Sequence, residues 1–448
     1  MNRVSLALLV VMVSATLGSC RQDAVNELPS PGASWTTQRL TGASFVKPAP
    51  VMSRVRELDF WTGFALFRDP WVASPSSTTA RDGLGPLFSA RSCLACHEDA
   101  GRGDSLLKNA QTFSTVYRIA DHSELREVFG THLQPRATFD DMQRGTRLTG
   151  FFEGEPRPYV EIRQVPVPES SYVLKQIHVA LGDELVAPRI APGIVGLGLL
   201  EAIPSARLEQ LDDPDDRDRD GISGRVNWVD TNAGEVMPGR FGWKASQATV
   251  AIQTADAFRN DIGITSALEP EENCERNQAT CLQQSSGAGP RGDHEINAPL
   301  FDHVVTFTAS LAVPEARELT AERRLGKRLF AGAGCDACHV PSHTVNVGGN
   351  EETIWPYTDL LLHDMGPMLA DGVVEGSASG SEWRTPPLWS LGIALELNPD
   401  SGLLHDGRAT NVHEAILWHG GEGARAAAQF LGLSEAEQDA LASFVLAL

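Results

Sequence analysis

Positive charge is the first thing this sequence is short of: 37 Lys and Arg stand against 58 Asp and Glu, a formal net charge of −21 over 448 residues. Nucleic acid is excluded as a partner, because phosphate binding draws on clustered cations. A basic protein, such as a small cationic electron carrier, would be steered in; simple solubility is the other use of such a charge. Long apolar runs are lacking too. Only "MNRVSLALLVVMVSATLGS", residues 1–19, is strongly apolar, and it is too short to span a bilayer comfortably. Cysteine is scarce, at seven residues, which excludes a disulfide-dense scaffold. With 42% hydrophobic and 21% charged residues, the rest reads as an ordinary globular chain of two or three domains.

Residues 1–19 have the form of an export signal, one cation followed by an apolar stretch. The signal ends in "LGSC", which resembles a bacterial lipobox and implies lipidation of Cys20. Ordinary cleavage nearby, with Cys20 incidental, is the alternative. The expectation is a bacterial periplasmic protein held to the membrane through a lipid anchor only. Arg21 is not the Asp of inner-membrane retention, which favours the outer membrane. Residues 20–54, rich in Pro, Ser and Gly, are expected to form the lipidated N-terminus and a linker.

Four of the remaining cysteines form two C-x-x-C-H motifs, Cys93–Cys96–His97 and Cys335–Cys338–His339. This spacing lets two thiols add across porphyrin vinyl groups while the next His binds iron from one face. A single copy also suits zinc, but two copies in an exported chain point to two covalently bound c-type hemes, with His97 and His339 as iron ligands. The motifs sit in an internal repeat, since each follows a G-x-x-L-F helix pattern, Gly63-x-x-Leu66-Phe67 and Gly326-x-x-Leu329-Phe330. In the first copy, residues 70–90 intervene between helix and motif.

The predicted fold is mainly α: two cytochrome c-like heme domains, 55–313 and 315–448, the first enlarged by an insertion at about 130–290 with short strands. Helix signals support the boundary. "INAPLFDHVVTFTASLAVP" is amphipathic and stops at Pro314, a new helix is expected near Thr320, and Ser434 with Glu437 makes a capping box. Within the insertion, Asp216, Asp218, Asp220 and Gly221 have the D-x-D-x-D-G spacing that wraps oxygen ligands round calcium, with Asn227 at the twelfth position. A solvated acidic turn is the alternative. Cys274 and Cys281 are expected to close a disulfide, a redox-active dithiol being the other use of the pair.

Activity depends on the opposite faces of the two irons. Candidates near the second motif are His363, Met365, His405, His413 and His419. The insertion offers His132, which is a distal acid/base, a displaceable ligand or a loop histidine, together with Glu153 and Glu155. Trp383, Trp389 and Trp418 are either an electron bridge or core.

"GLGLLEAIP", "DRDGISGRVNW", "RFGWKA", "YTDLLLHDMG", "SEWRTPPLWSLG" and "LLHDGRATNVHEAILWHGGE" resemble the bacterial di-heme oxidoreductase family, whose members are also labelled peroxidases or thiol oxidoreductases. More distantly, the C-terminal half is similar to di-heme cytochrome c peroxidases. The resemblance implies a sixth ligand fourteen residues after the His of an H-D/N-G-S segment. Counting from His405 gives His419, with Met365 as runner-up. It also implies peroxidase-like chemistry, with electrons passing from the C-terminal heme to a reactive heme at His97, where His132 would be a catalytic group. The implied partners are an electron-donor protein, a basic cytochrome or cupredoxin, and a small oxidant such as hydrogen peroxide. The peroxidases' distal Gln/Glu segment is not evident in this sequence. The competing reading is an electron-transfer cytochrome with both irons six-coordinate.

Overall fold

The computed structural model describes residues 28–38, 45–78, 80–108, 114–138, 147–148, 151–153, 156–231, 234–284, 286–288 and 294–448. The export signal, Cys20 and Glu155 lie outside the described residues, as does the Glu153 side chain.

Six helices frame the sites: α1 (Arg54–Arg68), α2 (Val250–Ala257), α3 (Ala298–Ala309), α4 (Ala321–Gly332), α5 (Val412–Leu417) and α6 (Glu435–Val445). Their starts are set locally. Ser53, Thr249, Asn297, Thr320 and Asn411 each accept a hydrogen bond from a first-turn amide, and Ser434 with Glu437 forms the capping box. Among the described residues, no helix is long and apolar enough to cross a membrane.

The repeat is one of packing as well as sequence. α1 crosses α3 at Gly63, where a Cβ would run into the His303 carbonyl and the Phe307 side chain. α4 crosses α6 at Gly326, against the Ala440 carbonyl and the Phe444 side chain. Each Gly lets two helix backbones touch. The motif phenylalanine then meets its counterpart across the crossing, Phe67 to Phe307 at 4.9 Å and Phe330 to Phe444 at 5.5 Å between ring centroids. The same phenylalanines lie 6.2 Å from the motif histidines, Phe67 from His97 and Phe330 from His339. Each crossing is thus the floor on which a C-x-x-C-H turn rests.

The mainly α expectation is corrected: the described residues are mixed, 31% helical and 19% strand. Between the helical parts lies an antiparallel sheet of β1 (Thr115–Ile119), β2 (His132–Leu133), β3 (Tyr159–Pro166), β4 (Val173–Leu181) and β5 (Glu184–Ile190), in the order β2-β1-β5-β4-β3. The alternating "YVEIRQVP" run pairs along its whole length, from Tyr159 opposite Ala180 to Pro166 opposite Val173. A ladder this long stabilises strands that read as short fragments one at a time. A two-stranded ribbon of β6 (Leu362–Asp364) and β7 (Glu382–Arg384) walls the second site.

Candidate functional site

Each C-x-x-C-H segment makes one 3-10 turn, Cys93–Ala95 and Cys335–Ala337, closed by the histidine amide onto the first cysteine carbonyl, 2.8 Å for His97 and 3.0 Å for His339. The turn gathers two thiols and an imidazole at the wall of a cavity.

Beside Cys335 and Cys338 this cavity is about 650 Å³ and is lined by Phe330, His339, Met365 and His419 among others, well within the size of a cofactor site. His339 Nδ1 lies 3.1 Å from the Tyr357 carbonyl and His419 Nδ1 2.7 Å from the Ala415 carbonyl. A carbonyl only accepts, so each Nδ1 carries the proton and each Nε2 keeps its lone pair for a metal. Burial, aided by His419, lowers His339 to about 4, and burial lowers His419. Both are neutral, the form that binds iron. Burial pushes the Cys335 thiol up to about 12 and raises Cys338.

The other candidates separate. His363 has both nitrogens engaged, Nδ1 with Glu422 at 2.7 Å and Nε2 with Asp359 at 2.9 Å. Burial opposes its charge, but the Asp359 and Glu422 carboxylates hold it well above its usual value, as an imidazolium unfit to bind metal. His405 stacks flat on Trp383, centroids 3.7 Å apart and planes 9° from parallel. His413 pairs with Asp439 at 3.1 Å and does not line the cavity. Met365 does line it.

The cavity beside Cys93, Cys96 and His97 is smaller, about 270 Å³. Burial raises both thiols, Cys93 to about 12, and lowers His97 to about 4. His97 Nδ1 is buried without a hydrogen bond of good geometry, with Gly101 and Pro192 backbone beside the ring. His132 lines this cavity, yet its Nε2 lies 2.7 Å from the Arg118 guanidinium and its Nδ1 2.8 Å from the Thr131 hydroxyl. Arg118 donates, so the His132 lone pair is taken, and burial together with Arg118 keeps the ring neutral.

Sequence reasoning missed three residues on the same wall. Gln253 and Asp256, one turn apart on α2, and Asp261 in the π-helical continuation Phe258–Ile262 all line the cavity. Burial raises Asp256 to about 6 and Asp261 to about 7, and Asn260 donates to Asp256 at 2.9 Å. The available signal was a Gln and an Asp three apart in a helix otherwise apolar but for Thr254.

Trp243 was missed as well. It lines both cavities, with Arg102, Arg384, Pro386, Pro387 and Leu391. Of the three tryptophans offered as a bridge, Trp383 lines only the larger cavity, Trp389 only the smaller and Trp418 neither.

Asp216, Asp218 and Asp220 bring carboxylate oxygens within 4.8 Å of one another, in a turn that Gly221 completes at φ 89°. Asn227 does not join them, contrary to the twelfth-position expectation. It is buried, donating to the Lys244 and Glu375 carbonyls while its Oδ1 accepts from Ser377. Cys274 and Cys281 form a disulfide with Cα atoms 5.7 Å apart.

Paired thiols, neutral imidazoles with free Nε2 atoms and an apolar cavity are a donor set that fits a heme at the second motif, and paired thiols with a neutral His97 beside a cavity repeat the thiol and imidazole part of it at the first. The family model described as "Di-haem oxidoreductase, putative peroxidase" matches residues 159–448. Among curated proteins, none matches the sequence. A solved structure titled "Kuenenia stuttgartiensis Hydrazine Synthase Pressurized with 20 bar Xenon" is similar at 12% identity over 100% of both chains with a TM-score of 0.32, a likeness too slight to carry an argument. The matched family stretch takes in well over half of the chain, including the second motif, His419, Gln253 and Asp256. The protein belongs to the di-heme oxidoreductase family.

Proposed function

We propose that the chain is an exported, lipid-anchored, periplasmic c-type cytochrome with peroxidase-like activity. Cys93 with Cys96, and Cys335 with Cys338, would hold the two hemes through thioether bonds in two cytochrome c-like domains. His97 and His339 would be proximal ligands, and His419 the sixth ligand of the C-terminal heme. The hemes when bound supply electron storage and a binding place for a small oxidant such as hydrogen peroxide, with electrons entering at the His339/His419 site and used at the His97 site.

The observation that carries this reading is the inequality of the two cavities. One has two imidazoles with free Nε2 atoms. The other, beside His97, is lined by His132 with both nitrogens engaged and by Gln253 and Asp256. An open coordination position beside a titratable carboxyl suits reduction of an oxidant. Asp256, raised to about 6, is close enough to neutrality to give and take a proton, and Gln253 orients the oxidant. Arg118, paired with Glu375, donates to His132 and keeps it from the oxidant, and Trp243 lines both cavities. The net charge of −21 favours a basic electron-donor protein.

The spectrum of the oxidised protein tests the proposal. One high-spin and one low-spin heme, with the high-spin signal changing on addition of peroxide, is the expected result. Two low-spin hemes indifferent to peroxide would replace it with the electron-transfer reading.

A further inference from the structure

Cations near the cavities are mostly neutralised by the chain's own carboxylates. Arg189 pairs with Asp371 and Glu375, both at 2.6 Å, Lys244 with Asp371 at 3.3 Å, and Arg118 with Glu375 at 2.9 Å. Apart from Arg425, which is exposed, Arg102 and Arg384 are the exceptions among the described cations that line the cavities. They are 9% and 7% exposed, and among the described residues neither has a carboxylate within ion-pair distance. Main-chain carbonyls hold them instead. Arg102 donates to Gly402 at 3.2 and 2.9 Å and to Leu404 at 3.1 Å, while Arg384 donates to Gly242 at 2.9 Å and Thr385 at 3.2 Å. These bonds fix the guanidinium planes without cancelling their charge. Arg102 Nη1 and Arg384 Nη2 have no hydrogen-bond partner among the described residues.

A buried cation left uncompensated costs several kcal/mol, so two of them among the residues that line both cavities call for an anion. Burial lowers both to about 10, which leaves them charged at neutral pH. Each lines both cavities, so an anion arriving with the occupant of either cavity can reach them. The guanidinium fork matches a carboxylate, and a heme brings two carboxylates on its propionate side groups.

We propose that Arg102 and Arg384 are a shared cation pair that binds the propionate carboxylates of both hemes. This rests on the di-heme reading above. The sharing has a consequence for redox behaviour. A positive charge near an iron favours its reduced form, so either arginine acts on both midpoint potentials at once.

The test uses the full heme-loaded chain with Arg102→Leu, Arg384→Leu and the charge-conserving Arg102→Lys and Arg384→Lys. Heme content per chain, both midpoint potentials and the propionate-bending bands in resonance Raman are read together. Expected in each Leu variant are two hemes per chain, both midpoints lowered and the propionate bands of both hemes shifted, with Lys restoring the midpoints but not the bands. Should Arg102→Leu fail to fold because its carbonyl contacts are lost, Arg384→Leu and the two Lys variants carry the same comparison. Midpoints and bands equal to the parent in fully loaded variants would overturn the assignment. A parent chain without hemes would instead defeat the di-heme reading itself.

Discussion

His339 and His419 come from distant parts of the chain, yet they present the same nitrogen to one cavity, each having tied Nδ1 to a main-chain carbonyl, Tyr357 for the first and Ala415 for the second. That match makes His419 the expected sixth ligand. His419→Ala should turn the low-spin C-terminal heme high-spin or exchange its ligand, whereas Met365→Ala should leave its spectrum unchanged. The opposite pattern in magnetic circular dichroism would show Met365 to be the ligand.

Covalent attachment predicts that denatured protein keeps two heme masses per chain. The double variant Cys335→Ala, Cys338→Ala should keep one and lose about half of the Soret absorbance. Zinc in place of heme in the intact mass would refute this.

Asp256 gives a pH dependence of definite sign. Its carboxyl is raised by burial from 3.8 to about 6, so the folded state holds a proton that the unfolded chain releases. The stability this proton contributes is complete below pH 3.8 and is lost as pH rises through the folded value. Asp256→Asn, which keeps an oxygen to accept from Asn260, should therefore be more stable than the parent at pH 8 by about 2–3 kcal/mol. The gain should shrink towards zero as pH falls to about 4, as urea melts would report. The same variant should lose peroxide turnover by a factor of about 10²–10⁴ if the carboxyl handles the proton. Unchanged turnover would remove it from that role.

Gly326→Ala drives a Cβ into the Ala440 carbonyl at the α4–α6 crossing, and Gly63→Ala does the same to the His303 carbonyl at the α1–α3 crossing. Backbone on backbone has no rotamer to yield. Each change should destabilise by about 1–3 kcal/mol or more, measured by denaturant unfolding of loaded protein. An exposed Gly away from both cavities whose Cβ would meet only ordinary contacts, Gly432, is the control.

If the Asp216, Asp218 and Asp220 loop binds calcium, chelation should lower the melting temperature, and calcium at 100 times its Kd should return about 2.7 kcal/mol. Asp218→Ala should abolish the response, and Asn227→Ala should leave calcium affinity alone. A melting curve identical with and without calcium would identify the loop as an acidic turn.

What this sequence determined by itself is short in range. Two cysteines and a histidine within five residues close one turn whatever surrounds them, a Ser with a Glu three later caps a helix, and G-x-x-L-F twice over declares a repeated helix. Even the strand run at 159–166 was readable, although its sheet was not, because a ladder needs a partner that single-strand periodicity does not identify. The tertiary structure decided which groups remain available. By residue type alone His363 and His419 are both candidates, and only the family resemblance favours His419; in the structure Asp359 and Glu422 fold onto both nitrogens of His363, while Ala415 leaves Nε2 of His419 free. Asn227 is spent on the Lys244 and Glu375 carbonyls, and Trp243 rather than the tryptophans first singled out lies on the shared wall. Asp256 is raised, and Arg102 is stranded without an acid, by neighbours far along the chain. Lone pairs, charge compensation and burial belong to the packed assembly of residues, so the spacing of one segment fixes the chemistry it carries but not whether that chemistry is free to act.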